Sequence, residues 1–158
     1  MRISYKVDYG VRGMTMIAAA DRDRPGVPVR RQDIAEQEQV PPGFLADILS
    51  QLRNAGLLES QRGVDGGWIL GRPSASITVA DVIRALDGPL ASIRGVRPHE
   101  LAAEEGGREP FVSMWVAVRA SLRAVLERVT IADLASGSLP EPIAALVADE
   151  DAWVARPL

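Results

Sequence analysis

The chain contains no cysteine among its 158 residues. Disulfides, thiol-based sensing and cysteine-ligated iron–sulfur clusters are closed to it, because each depends on thiolate sulfur. Histidine occurs once, as His99. Without a cysteine nucleophile or a second imidazole, no positioned acid–base or nucleophile–base pair is legible, and the glycines do not form a phosphate loop opening a helix. An enzyme is therefore not expected. No apolar run approaches the roughly 20 residues of a membrane-spanning helix, and no charged-then-apolar leader opens the sequence. A cytoplasmic protein with no membrane partner is expected. Positive charge is also scarce: 18 Lys and Arg face 21 Asp and Glu, a net charge of −3. Coating nucleic acid by bulk charge is thus excluded, although the charge is unevenly spread. Residues 1–75 carry ten basic and nine acidic side chains, and the remainder eight and twelve.

What the sequence does contain is a helix end followed by a glycine-rich hairpin. Gly56 follows Arg53 and Asn54 and suits the left-handed position just past a helix. Leu57–Ser60 and Trp68–Leu70 then read as paired strands, and Gly63, Asp65, Gly66 and Gly67 supply the positive-φ positions of the connecting loop. Arg62 stands at the tip. A cation on a loop poor in side chains suits a DNA minor groove, where guanidinium reads width and potential.

A helix, a turn and a second helix precede this hairpin. Arg31–Glu38 buries Ile34 and Ala35, and Gln39–Pro42 breaks the chain, with proline tolerated in the first turn of the next helix. There Phe44, Leu45, Ile48, Leu49 and Leu52 share a 3.6-period face, leaving Gly43, Ala46, Asp47, Ser50 and Arg53 outward. In a helix-turn-helix, the start of the second helix enters the major groove. Pro42, Gly43, Ala46 and Asp47 are therefore expected near base edges and Arg53 near phosphate, and Phe44 is counted among the DNA-binding candidates. The surface is lean, with no outward Arg, Asn or Gln near the helix start for bidentate base contacts. Shape and the wing are expected to carry more of the specificity. Upstream, Tyr5–Ala20 reads as an opening helix with Val7, Val11, Met14 and Ala18 on one stripe. Arg2, Ser4 and Lys6 lie near its start as candidate phosphate donors.

In the second half, Thr78 and Asp81 are spaced as a capping box for a helix ending at Asp87-Gly88-Pro89. From Pro110 to Val129, Trp115, Val118, Leu122, Val125 and Val129 recur at steps of three and four, widened by Phe111, Met114 and Leu126. So long a seam can pack on its own domain, but it suits a symmetric dimer better. Thr130 restarts a short helix to Gly137. The segment from Pro140 onward reads as one weak helix that frays at Arg156-Pro157.

The predicted architecture is mainly α with a small β-hairpin wing. Residues 1–89 form a winged helix-turn-helix domain and 90–109 a loop. Residues 110–137 form a dimerisation region, and 138–158 a C-terminal tail.

These residues resemble the Rrf2 family. The resemblance rests on Tyr5-Lys6-Val7-Asp8-Tyr9-Gly10-Val11-Arg12, Asp33-Ile34-Ala35, Pro42 through Leu49, Leu52 through Leu57 and Arg62 through Trp68. Ile77 through Ile83 and Leu86-Asp87-Gly88-Pro89-Leu90 continue it. It implies a dimeric bacterial transcription regulator with a winged helix and a long C-terminal dimerisation helix, often controlled by an iron–sulfur cluster. Cluster-binding members carry three cysteines after the motif matched by Asp87-Gly88-Pro89-Leu90, and this chain has none. No cofactor is therefore expected. His99, Glu100, Glu104 and Glu105 in that loop make a weak metal set for want of a second histidine. Asp8, near which one cluster type in the family has a carboxylate ligand, is read as helix surface. The expected function is a homodimeric repressor that binds a palindromic double-stranded operator without a cluster. Two alternatives stay open. In one, a protein partner dominates and DNA binding is weak; in the other, a small effector is sensed between Trp115, the 91–110 loop and the winged domain.

Overall fold

The computed structural model describes residues 2–100 and 110–155. The first helix, α1 (Tyr5–Asp23), starts where the Ser4 hydroxyl accepts a hydrogen bond from the Val7 N–H at 3.1 Å. It runs three residues beyond the expected Ala20 and buries Val7, Gly10, Met14, Ile17 and Ala18, whereas Val11 is only half-buried. Gly10 has a packing reason, since a β-carbon there would collide with the Leu86 side chain.

α2 (Arg31–Gln37) buries Ile34 and Ala35. The turn into α3 (Pro42–Asn54) is made by Gln39, whose φ of +53° is unusual for a residue with a side chain. Leu45, Ile48, Leu49 and Leu52 of α3 are buried. Each such side chain contributes about 1.5–3 kcal/mol, against less than about 0.7 kcal/mol for ordinary propensity differences. Packing therefore sets how α3 is held. Gly56, at φ +71°, ends it as expected, and the Leu57 N–H reaches back to the Leu52 carbonyl at 2.9 Å.

The wing follows as β1 (Leu58–Gln61) and β2 (Gly67–Leu70), antiparallel, with Leu58 opposite Leu70 and Gln61 opposite Gly67. Val29 adds a third pairing, exchanging both backbone hydrogen bonds with Trp68 at 2.9 and 2.8 Å. This changes the reading of the glycines. Of the four loop positions expected at positive φ, only Gly63 (φ +115°) has it. Gly66 and Gly67 are needed for closeness instead: a β-carbon on Gly66 would strike the Gln61 carbonyl, and one on Gly67 would lie 2.5 Å from the Val29 carbonyl oxygen. Because backbone cannot swing aside as a side chain can, Gly67→Ala is expected to cost about 1–3 kcal/mol, read as a lower urea midpoint. An unchanged midpoint would mean that the Val29 pairing is not formed in solution.

α4 (Val79–Leu86) begins with the expected capping box, in which the Thr78 hydroxyl and the Asp81 carboxylate accept reciprocal backbone N–H bonds. The long helix, α5 (Pro110–Leu126), ends three residues before the expected Val129. α6 (Ile131–Ser136) carries a second capping box, between Thr130 and Asp133, and closes on Gly137 at φ +72°. The tail forms α7 (Glu141–Ala148) and a 3-10 turn at Glu150–Trp153, whose indole N–H donates to the Val147 carbonyl at 2.8 Å. The expected fraying at Arg156-Pro157 lies outside the described residues.

One boundary moves. Residues 129–137 complete the winged body rather than extending a separate dimerisation unit. The Val129 carbonyl accepts from the Val79 N–H at 2.9 Å, and the Ile131 N–H donates to the Ile77 carbonyl at 2.8 Å. Ile131 is buried in the main core, and Arg22 of α1 donates to the Ala135 carbonyl.

Candidate nucleic-acid interface

The start of α3 is open. Pro42, Gly43, Asp47 and Arg53 are exposed as expected. No atom lies within 4 Å of where a Gly43 β-carbon would sit, so its bareness is a property of the surface and not a packing need. Phe44 departs from its apolar face: it is 40% exposed and meets Tyr9 of α1 edge-on at 6.0 Å. It sits in the first turn of α3, where Tyr9 is its one aromatic neighbour among the described residues. Ala46 and Ser50, expected outward, are half-buried. Asp47 accepts a hydrogen bond from Gln51 at 2.7 Å.

Arg62 and Gly63 are exposed at the wing tip, and Arg62 has no ion-pair or hydrogen-bond partner among the described residues. Beside the wing lies a groove of about 450 Å³ with Arg30, Arg31 and Gln32 on one side and Ser60, Gln61 and Trp68 on the other. Arg30 also reaches Asp65 of the tip at 3.9 Å. Sequence reasoning missed this pair of arginines. The adjacent basic residues opening α2 were the available signal, but nothing local says that the wing folds back beside them.

The three N-terminal candidates are used differently. Lys6 donates to the Leu86 carbonyl at 2.7 Å, so its ammonium caps the end of α4 rather than waiting for phosphate. Ser4 caps α1. Arg2 is exposed and borders a cavity shared with Ile83 and Asp87. Lys6 and Arg2 thus lie beside the end of α4, whereas Ser4 serves its own helix. Asp8 pairs with Arg12 at 3.0 Å on the helix surface, as read.

The residues present do not fit the family's iron chemistry. There is no thiolate, and among the described residues no three His, Asp or Glu side chains gather as a ligand set. His99 is exposed, and Glu100 accepts from the Arg97 N–H at 2.9 Å, while Glu104 and Glu105 lie outside the described residues. Where the resemblance places cysteines, Ala91, Ser92, Ile93 and Pro98 instead line a cavity of about 630 Å³ with Trp115 and Leu122. The buried Trp115 indole N–H has no acceptor among the described residues.

Along α5, Val118 is 42% exposed, Phe111 and Met114 are exposed, and Trp115, Leu122 and Val125 are half-buried. Ile3, Met114, Val118, Leu122 and Val125 line an open apolar groove. Val129 does not belong to this seam, being 6% exposed within the chain's own core. Just past the end of α5, Glu127 accepts from Arg123 at 2.9 Å and from Arg84 of α4, which also approaches Asp81 at 3.7 Å. Hydrogen bonds from Arg123, then Arg84, hold the Glu127 carboxyl down to about 2. A depressed carboxylate pKa stabilises the fold above the ordinary value of about 4.3 and loses that contribution as pH falls toward the folded value. Wild type is therefore expected to exceed Glu127→Gln in stability at pH 6 and to converge with it by about pH 2. A Glu127 carboxyl that titrates normally by NMR would show the network to be open in solution.

A helix-turn-helix with its second helix exposed at the start, flanked by a hairpin wing bearing an unpaired arginine, defines a winged DNA-binding fold. Residues 3–137 match the Rrf2 family, described as iron-dependent transcriptional regulators, and the chain belongs to that family. A Mycobacterium tuberculosis protein assigned as an HTH-type transcriptional regulator is 44% identical over 149 residues, 94% of this chain and 90% of its own. The HTH-type transcriptional regulator CymR of Bacillus subtilis is 35% identical over 136 residues, covering 86% of this chain and 91% of CymR. Among solved structures, that of B. subtilis CymR, the global cysteine regulator, superposes with a TM-score of 0.72 at 32% identity, over 87% of this chain and 98% of CymR. T. potens IscR gives 0.65 at 30% identity, over 99% and 94%. The relatives are transcriptional regulators and not enzymes. Among the described residues no helix is long and apolar enough to cross a membrane.

Proposed function

We propose that this chain is a homodimeric, cytoplasmic repressor that binds a palindromic operator and needs no iron–sulfur cluster. The observation that carries the reading is the pairing of a bare, exposed start of α3 with an unpaired Arg62 on an anchored wing. In this arrangement α3 enters a major groove, Arg62 the neighbouring minor groove, and Arg30, Arg31 and Arg53 lie along phosphates. The apolar groove on α5 supports a second copy as its occupant, which sets two half-sites about one helical turn, roughly 34–36 Å, or a multiple apart. Repression follows from promoter occupancy by such a compact dimer. The releasing signal is a small effector, for which the cavity space between the winged body and α5 is the support.

The test is titration of the purified protein onto DNA from its own upstream region at several salt concentrations, against an unrelated duplex of equal length. Selective binding without added metal is expected, tightening as salt falls. Equal, weak binding to both duplexes would overturn the reading in favour of action through a protein partner.

A further inference from the structure

A second, smaller cavity, of about 280 Å³, shares Pro89 and Leu90 with the apolar one. Its other walls are Gly88 and three arginines, Arg84, Arg97 and Arg119, with no carboxylate among the described residues lining it. The arginines come from α4, from the segment after Pro89 and from α5, so the fold, not helical repetition, gathers them. Their pairing is incomplete. Arg84 is engaged by Glu127 and Asp81, and Arg97 reaches Glu100 only at 3.9 Å. Arg119, half-buried, has no ion pair or hydrogen bond among the described residues, and Arg123 beside it is turned to Glu127.

Three like charges around one small cavity repel, and guanidinium forks match the oxygens of carboxylate and phosphate. The volume lies at the low end for small-molecule sites, which favours compact anions. We propose that Arg84, Arg97 and Arg119 form a binding site for a small di- or trianion bearing carboxylate or phosphate groups, and that its occupancy sets how α5 rests against the winged body. Bound there, the anion bridges α4 to α5 and competes with Glu127 for Arg84. None of the lining residues belongs to α2, α3 or the wing, so duplex phosphate is a separate occupant that the test must distinguish. The regulatory half rests on the repressor reading, but the binding half does not.

Thermal unfolding and calorimetry of the full chain, with inorganic phosphate and citrate as probes and sodium chloride at matched ionic strength, test the site without DNA. Arg119→Gln is the informative variant, because it breaks no ion pair among the described residues. At least one probe is expected to raise the wild-type melting temperature by several degrees. Arg119→Gln should bind that probe at least tenfold more weakly, with its own melting temperature and DNA affinity unchanged. Equal shifts in both proteins, or none with either probe, would overturn the site. Weaker DNA binding by Arg119→Gln, with the salt slope reduced by about one, would assign the arginines to the DNA backbone instead. Anion binding that leaves DNA affinity unaltered would overturn the regulatory half alone.

Discussion

Arg62→Ala is expected to bind a cognate duplex about ten- to a hundredfold more weakly than wild type, with a log-affinity against log-salt slope shallower by about one. The side chain is exposed and without a partner among the described residues, so removing it should leave the fold untouched. The loss would then be one of recognition, equivalent to roughly 1.4–2.7 kcal/mol. Its size follows from preorganisation. An isolated two-stranded hairpin is marginal in water, but this one is tied to Val29 and leaves no room for a side chain at Gly67. Little ordering free energy is therefore spent when it enters a groove. Arg62→Lys separates the two parts of the effect: retained affinity would mean that charge suffices, and a loss near that of alanine would assign the role to the guanidinium plane. Unchanged DNA affinity in Arg62→Ala would remove the wing from the interface.

The second large effect is expected at the α5 seam. Val118→Asp should convert a dimer to a monomer, measured by sedimentation, with little change in melting temperature because Val118 is already 42% exposed in the single chain. Burying an unpaired carboxylate against a partner's apolar groove is what opposes association. Binding to a two-half-site duplex should fall by about a hundredfold or more, since linkage of two modules supplies gains of that order without new contacts. Affinity for a single half-site should persist. A Val118→Asp protein that remained dimeric would place the interface elsewhere, with Trp115 and Leu122 then serving the chain's own packing.

The parts of the fold written in short-range signals were legible. Gly56, the α3 stripe from Leu45 to Leu52 and the Thr78–Asp81 capping box each rest on residues within a turn or two of each other, and each appears as read. What sequence could not supply were contacts between distant segments. Lys6 finds its partner 80 residues away, and a local pattern can register its charge but not that destination. Gly67 looked like a loop glycine because its reason, the approach of Val29, lies far upstream. Val129 fitted the seam by spacing alone. The step from Val125 to Val129 continues a helical period, yet the helix stops at Leu126 and the chain turns back into the core. Phe44 shows the converse, a correct periodicity at a helix start where the burial stays incomplete, at 40% exposed. For the candidate site, the α3 start and the wing tip are legible in local sequence, whereas Arg30, Arg31 and the three arginines of the small cavity are brought together only by the fold.

The return of the chain at Val129 has a mechanical consequence. The C-terminal end of α5 is clamped by the bonds of Val129 and Ile131 to the segment around Ile77–Val79, and by Glu127 to α4. Its 17 residues make a rod of about 25 Å, clamped at its C-terminal end and seated near the other by the buried Val112. If two such rods are joined along their lengths, the clamp acts as a fulcrum: a tilt of about 10° there carries the far end through about 4 Å on that 25 Å arm. That displacement exceeds the rise of one base pair, about 3.4 Å, so a tilt that repacks Val112 at the far end would bring two reading heads into or out of step with a fixed ruler.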